Sequence, residues 1–205
     1  MIPRHALGGL ILAGGQARRL QEPGRTELDK GLLELHGMSL AERAARYLSS
    51  RVSRLWISAN RHADIYQRFG DVVADDPDYG VGSGPLSGVA SVLAVASTPW
   101  LVVIPVDVPE LPIDLVDRLA DAALASRAGV AYAENAQGAH PLCMVLHRRV
   151  LAPLRAHLLD GERKVRRWQQ GQGATAVWFE EEGAAFFNIN TREDLCVMRR
   201  RAPLE

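Results

Sequence analysis

Short apolar runs alternate with longer amphipathic stretches along the chain, the pattern of a parallel sheet covered by helices. Leu7–Ala13 (LGGLILA) reads as a first buried strand ending in a glycine pair. Ser39 with Glu42 three residues later forms the start of a helix through Tyr47, with Leu40, Ala44, Tyr47 and Leu48 on one face. Arg54–Ala59 is a second strand, Asn60–Phe69 a short helix, and Asp71–Ala74 a weak strand. Asp75–Gly84 holds three glycines, three aspartates and a proline, which makes it a loop. Pro85–Ser97 is small, apolar and helix-compatible, and Trp100–Val106 (WLVVIPV) is a strongly buried strand running into Asp107. Pro112 opens a helix carrying Leu115, Leu119 and Ala122–Leu124 on one face. Strands at Val130–Ala133 and Leu142–Leu146, a helix at Arg149–Leu159, a basic stretch at Glu162–Gln170, a strand at Thr175–Phe179 and a helix at Glu193–Arg200 follow. No repeat or low-complexity tract interrupts the pattern. It predicts a single doubly wound, three-layer α/β domain over residues 1–205, with a mostly parallel sheet.

The 205 residues are enough to bury roughly 70% of the unfolded surface, so no disulfide or metal staple is required. Lys plus Arg and Asp plus Glu are equal at 24 each, which argues against a broad grip on nucleic acid or an anionic membrane. A small, highly charged ligand met by a few cations remains compatible with that balance. The two cysteines, Cys143 and Cys196, have no partner at metal-ligand spacing. Their scarcity fits a reducing cytoplasm, and no run of about 18 apolar residues reads as a membrane span. The first nine residues lack a small-residue cleavage site and pass straight into a strand, unlike a signal peptide.

Ligands of open parallel sheets bind beyond the carboxyl ends of the strands. The segments after Ala13, Ala59, Ala74 and Val106 are therefore the places to search, and glycines and charged residues cluster there. After the first strand comes Gly14-Gly15-Gln16-Ala17-Arg18-Arg19, with bare N–H groups to face a ligand and forked cations to close over phosphate. The same glycine pair is also compatible with a plain tight turn. It is neither a Walker loop nor a dinucleotide fingerprint, because Gly82-Ser83-Gly84 is followed by Ser87 where a third glycine belongs. Lys30, in Asp29-Lys30-Gly31, suits either a point charge for a phosphate chain or a solvated loop lysine. Ser58 and Asn60 offer polar atoms to a base or ribose, and Asn60 equally suits an N-cap. Asp107 is a carboxylate carried by a buried strand, costly to desolvate without a cation beside it. Mg²⁺ fits, since it takes one or two carboxylates and completes its shell with water and phosphate. A loop-capping role before Val108-Pro109 is the other reading.

The set resembles the nucleotide-diphospho-sugar transferase type of fold and, within it, the molybdenum cofactor guanylyltransferase family. The strings that carry the resemblance are Leu12-Ala13-Gly14-Gly15 with Arg18-Arg19, Asp29-Lys30-Gly31-Leu32-Leu33-Glu34-Leu35, and Ala59-Asn60-Arg61-His62. Further along come Gly84-Pro85-Leu86-Ser87-Gly88, Pro105-Val106-Asp107, His140-Pro141, Gly161-Glu162-Arg163-Lys164 and Asn188-Ile189-Asn190-Thr191. The resemblance implies a single Rossmann-like domain, GTP and Mg²⁺ as reactants, molybdopterin as acceptor, and transient contact with molybdenum-insertion proteins and molybdoenzymes, without nucleic acid or membrane. It places nucleotide contacts on Leu12, Ala13, Gly14, Gly15, Lys30, Ser58, Asn60, Asp75 and Asp107, with Asp107 the metal ligand. Asn188, Asn190 and His140-Pro141 fall on the acceptor side. The chain departs from the family in a longer Leu20–Leu28 loop, in Ser58 where Asn is frequent, and in Val106 where cysteine is common.

An ionised phosphate acceptor needs no general base. The enzyme's work would be to position two polyanions and screen their charge, which assigns catalysis to Arg19, Lys30 and Asp107. Transfer of a different nucleotide, or non-catalytic handling of the cofactor, are the competing functions. Gly14-Gly15 and Asp29-Lys30 resemble the guanylyl-transferring family more than its cytidylyl-transferring relatives, and that resemblance tilts the choice towards guanine. The basic stretch Arg163–Trp168 reads either as a grip on acceptor or partner, or as a solvated amphipathic face.

Overall fold

A computed structural model describes residues 1–14, 28–80, 82–180 and 184–201. Seven strands form one sheet: β1 (Leu7–Leu12), β4 (Arg54–Ser58), β5 (Asp71–Val73), β6 (Trp100–Pro105), β7 (Val130–Asn135), β8 (Gly138–His147) and β9 (Thr175–Trp178), in the order β5-β4-β1-β6-β8-β7-β9. All pairings are parallel except those of β8, which runs antiparallel to both β6 and β7. β8 starts at Gly138, four residues before the strand predicted at Leu142, because a turn of only Gln137 and its flanks links it to β7 as a hairpin.

Alternation along the central strands sorts their side chains onto two faces. Ile11, Val102 and Ile104 pack with Leu40, Ala44 and Leu48 of α1 (Leu40–Ser49), Leu115 and Leu119 of α4 (Leu115–Ala125), and Leu195 and Met198 of α7 (Arg192–Arg200). Leu10, Leu101 and Val103 pack on the other face with Val89 and Leu93 of α3 (Pro85–Val95), Leu154 and Leu158 of α5 (Leu151–Leu159), and Trp168 of α6 (Val165–Gln172). The expected three layers are present.

Several local expectations need correction. The helix predicted over Asn60–Phe69 shrinks to α2 (Ala63–Tyr66), and its N-cap is His62, in the left-handed region at φ 53°. Asn60 is not the cap; its side chain is bound to Asp75 instead. The Leu32–Leu35 run is split between a 3-10 turn, Lys30–Leu32, and a small hairpin of β2 (Glu34–Leu35) and β3 (Met38–Ser39), turned by His36 and Gly37 at positive φ. The α4 helix begins at Leu115 after a lead-in from Pro112. In the basic stretch, Trp168 is buried, Arg163 donates to the carbonyls of Leu158 and Tyr79, and Arg167 pairs with Glu162. Its amphipathic reading holds, with the apolar side in the core.

The strand order reverses at β1, whose neighbours β4 and β6 lead away in opposite directions. A crevice opens outside the carboxyl ends at such a point. Leu12, Ser58, Val73, Pro105 and Asn135 all end at this rim, and antiparallel β8 begins there.

Candidate active site

Two polar nests stand at the rim, on either side of the end of β1. The first centres on Lys30. Asp29 caps the 3-10 turn by accepting from the Gly31 N–H at 3.0 Å, and Lys30 is the turn's first residue. Its side chain is only 10% exposed, and Nζ donates to Asp107 Oδ2 at 2.7 Å and to Asn190 Oδ1 at 2.8 Å. A lysine so enclosed is neither a solvated loop residue nor a surface ion pair. Val106 N–H donates to Leu12 O at 3.1 Å, carrying the β1–β6 ladder one step past the strands, so Asp107 stands beside Ala13 and Gly14.

Asn190 comes to Lys30 from the far end of the sequence. Ile189 N–H donates to the Asp107 backbone carbonyl at 2.9 Å, which ties this segment across the rim. Thr191 and Asp194 then form a capping box at the start of α7, with Asp194 Oδ2 accepting from the N–H groups of Asn190 (2.9 Å) and Thr191 (2.8 Å). Burial opposes ionisation of Asp194. Those two N–H groups, the Thr191 hydroxyl and the Lys30 charge outweigh it and hold the carboxyl below its ordinary range. Asn188 is exposed one residue before Ile189.

The second nest centres on Asp75. Its Oδ2 accepts from Asn60 Nδ2 at 3.1 Å and from Ser87 Oγ at 2.9 Å, while its N–H donates to Asn60 Oδ1 at 2.8 Å. Ser58 Oγ reaches Asp75 Oδ1 at 3.5 Å, a long contact. Ala13 N–H donates to the Ser58 carbonyl at 3.0 Å, which binds the segment after β1 to this nest. The opening of α3 lies against Ser58 because residue 88 is glycine: an added Cβ would stand 2.9 Å from Ser58 Cβ and 3.3 Å from Leu12 Cδ2.

Leu12, Ala13, Gly14, Lys30, Ser58, Asn60, Asp75, Asp107 and Asn190 therefore share one rim. Gly15, Arg18 and Arg19 lie outside the described residues, as does the Leu20–Leu28 loop up to residue 27. His140 is at the same rim. β8 begins at this rim with Gly138, and its pairing with β7 sets His140 opposite Ala133, two residues before the end of β7; a bulge between His140 and Met144 follows. Its ring stacks on Phe186 at 4.4 Å and Nε2 contacts Asn135 Oδ1 at 2.9 Å; burial pushes its pKa down. Asn135 Oδ1 also accepts from Gln137 N–H, so the imidazole is the donor at Nε2.

Sequence reasoning missed Ser87 as a partner of Asp75, and it missed Tyr66, Asn135 and Phe186 altogether. Ser87 and Tyr66 each follow a helix pattern, which conceals a hydroxyl that donates to a carboxylate. Phe186 adopts φ 64°, which no pattern of apolar residues signals.

Among the described residues no three His, Cys, Asp or Glu side chains gather as a metal cluster. The single hard carboxylate of Asp107 suits Mg²⁺, whose remaining ligands are water and phosphate oxygens. It does not suit a metal held entirely by protein. Among the described residues no helix is long and apolar enough to cross a membrane.

Residues 9–176 match the model of the MobA-like NTP transferase domain. The chain is 39% identical over 188 residues to a molybdenum cofactor guanylyltransferase of Serratia proteamaculans, covering 91% of this chain and 90% of that one. It is 39% identical over 202 residues to a protein of the same name from Cupriavidus necator, covering 95% and 97%. Among solved structures, molybdopterin-guanine dinucleotide biosynthesis protein A of Archaeoglobus fulgidus superposes with a TM-score of 0.74 at 20% identity, covering 94% of this chain and 96% of that one, a likeness of fold.

Proposed function

The chain belongs to the MobA-like NTP transferase family, and on that premise we propose that it transfers GMP from GTP to the terminal phosphate of molybdopterin. The products are molybdopterin guanine dinucleotide and pyrophosphate. The observation that supports this reading is the convergence of Lys30, Asp107 and Asn190 beside the end of β1.

In the reaction, an oxygen of the acceptor phosphate attacks the α-phosphorus of GTP. A new P–O–P bond forms, and the bond between the α-phosphorus and the bridging oxygen of pyrophosphate breaks. The attacking oxygen is already ionised near pH 7, so no protein base removes a proton. The protein's task is to bring two polyanions together in line and to offset their charge in a partly dehydrated crevice. Lys30 delivers a positive charge from a fixed turn, and the Gly14 N–H stands at the same rim to meet the phosphates, with Gly15 assigned beside it on sequence grounds. Arg19 adds a second cation on sequence grounds. Ser58, Asn60 and Asp75 hold the nucleoside, with Leu12 and Ala13 as backbone contacts, while Asn188 and Asn190 meet the acceptor. Asp107 would hold Mg²⁺, which when bound supplies positive charge to the phosphate oxygens.

The test is incubation of the purified protein and molybdopterin with each of the four nucleoside triphosphates in turn. Pyrophosphate release is followed, and the attached nucleotide is identified by mass spectrometry. GMP attachment with stoichiometric pyrophosphate is expected. Attachment of CMP would reassign the nucleotide, and cofactor binding without pyrophosphate release would make the protein a carrier.

A further inference from the structure

Lys30 leaves a turn that is anchored on its other side by groups outside the crevice. The Asp29 carboxylate accepts from Tyr66 Oη at 2.6 Å and from the Gly31 N–H at 3.0 Å through the same oxygen, and its second oxygen lies 3.9 Å from His62 Nε2. The Asp29 side chain is 7% exposed and Tyr66 is fully buried. Tyr66 and His62 are four residues apart on the short α2 segment, so both reach the carboxylate from one side. There is no slack at the joint: a methyl on Gly31 would collide with the Tyr66 hydroxyl. Leu33 N–H donates to the Lys30 carbonyl at 3.2 Å, fixing the backbone after the lysine as Asp29 fixes it before.

We propose that Tyr66, acting through Asp29, is a positioning residue that sets the turn from which Lys30 reaches Asp107 and Asn190. A buried carboxylate clamped by a phenol adds little net stability over a well-packed apolar pair. It does fix a geometry, and a charge that must meet phosphates loses on the order of 10² in rate when displaced by about 1 Å. Tyr66 touches no reacting atom; its effect passes wholly through Lys30. The inference rests on the proposed transfer reaction for its kinetic consequence, but the coupling of Tyr66 to Lys30 does not.

The experiment is Tyr66→Phe, which keeps the ring and removes the hydroxyl, made in the natural chain and in a Lys30→Met background. In the natural chain kcat should fall by roughly tenfold or more while KM for GTP changes less than about threefold. In the Lys30→Met background the same change should alter neither turnover nor Mg–GTP affinity. The ¹⁵N-ammonium signal of Lys30 in nucleotide-free protein should be visible in the natural chain and lost by exchange in Tyr66→Phe. If Tyr66→Phe does not fold, Asp29→Asn carries the same comparison. An unchanged kcat in the natural chain, or an equal loss in both backgrounds, overturns the positioning role. A natural chain that shows the ammonium coupling but never binds or turns over GTP removes the proposed reaction and leaves the coupling standing.

Discussion

Removing the ammonium of Lys30 by Lys30→Met has opposite consequences for the metal and for the reaction. Nζ sits 2.7 Å from Asp107 Oδ2, so a free divalent cation approaching that carboxylate competes with a charge already in place. A charge-assisted hydrogen bond of this kind contributes about 1.5–3 kcal/mol net. The pair's exposures of 10% and 23% argue against discounting it as a surface pair. At about 1.4 kcal/mol per decade, its removal should tighten Mn²⁺ binding to the nucleotide-free protein by roughly 10- to 100-fold. Turnover should fall by at least about 10², because the same lysine is needed once the phosphates arrive. Electron paramagnetic resonance titration of free Mn²⁺ reads the first effect without any reaction, and Asp107→Asn in the Lys30→Met background should abolish the gain. Mn²⁺ affinity that is unchanged or weaker in Lys30→Met would show that Lys30 does not hold the metal's place, and that the metal binds elsewhere.

Asp107→Asn retains an acceptor for Lys30 and should cost about 10²–10³ in kcat with a small change in melting temperature; Asp107→Ala would also leave a buried ammonium short of a partner and should destabilise by several kcal/mol, measurable by urea unfolding. Gly88→Ala forces a methyl into Ser58 and should destabilise by about 1–3 kcal/mol, a fall of roughly 2–10 °C by calorimetry, with weaker GTP binding by isothermal titration. Asp194→Asn should cost about 1 kcal/mol at neutral pH through loss of the negative charge that accepts from the Asn190 and Thr191 N–H groups at the start of α7. Because the folded carboxyl of Asp194 is depressed, its contribution is complete above the unfolded value near about 4 and is lost as pH falls through the lower folded value. The stability gap between natural chain and variant, measured by denaturant titration, should therefore be constant above about pH 5 and close in more acidic solution.

The alternation of apolar runs and amphipathic stretches determined most of the fold, because period-2 and period-3.6 burial each follow from the nearest few residues. Leu7–Leu12 and Trp100–Pro105 were legible as buried strands, Ser39 as a helix cap, and Asp107 as a carboxylate delivered to the ligand edge. The antiparallel placement of β8 between β6 and β7 was not legible, since a buried strand has the same composition in either direction. Asn60 shows the limit of local rules: its residue type fits an N-cap, yet Asp75, fifteen residues on, takes its amide.

From the sequence alone Lys30 and Asp107 were separate candidates, each with an ordinary alternative, and Asn190 entered only through the family resemblance. Tertiary structure alone decided that one ammonium, 77 residues from its carboxylate and 160 from its amide, would bind both while Tyr66 braced its turn from behind. Contacts over such separations depend on which strands neighbour one another at the switch point. Sheet order is an outcome of the whole chain's packing, and no window of sequence contains it.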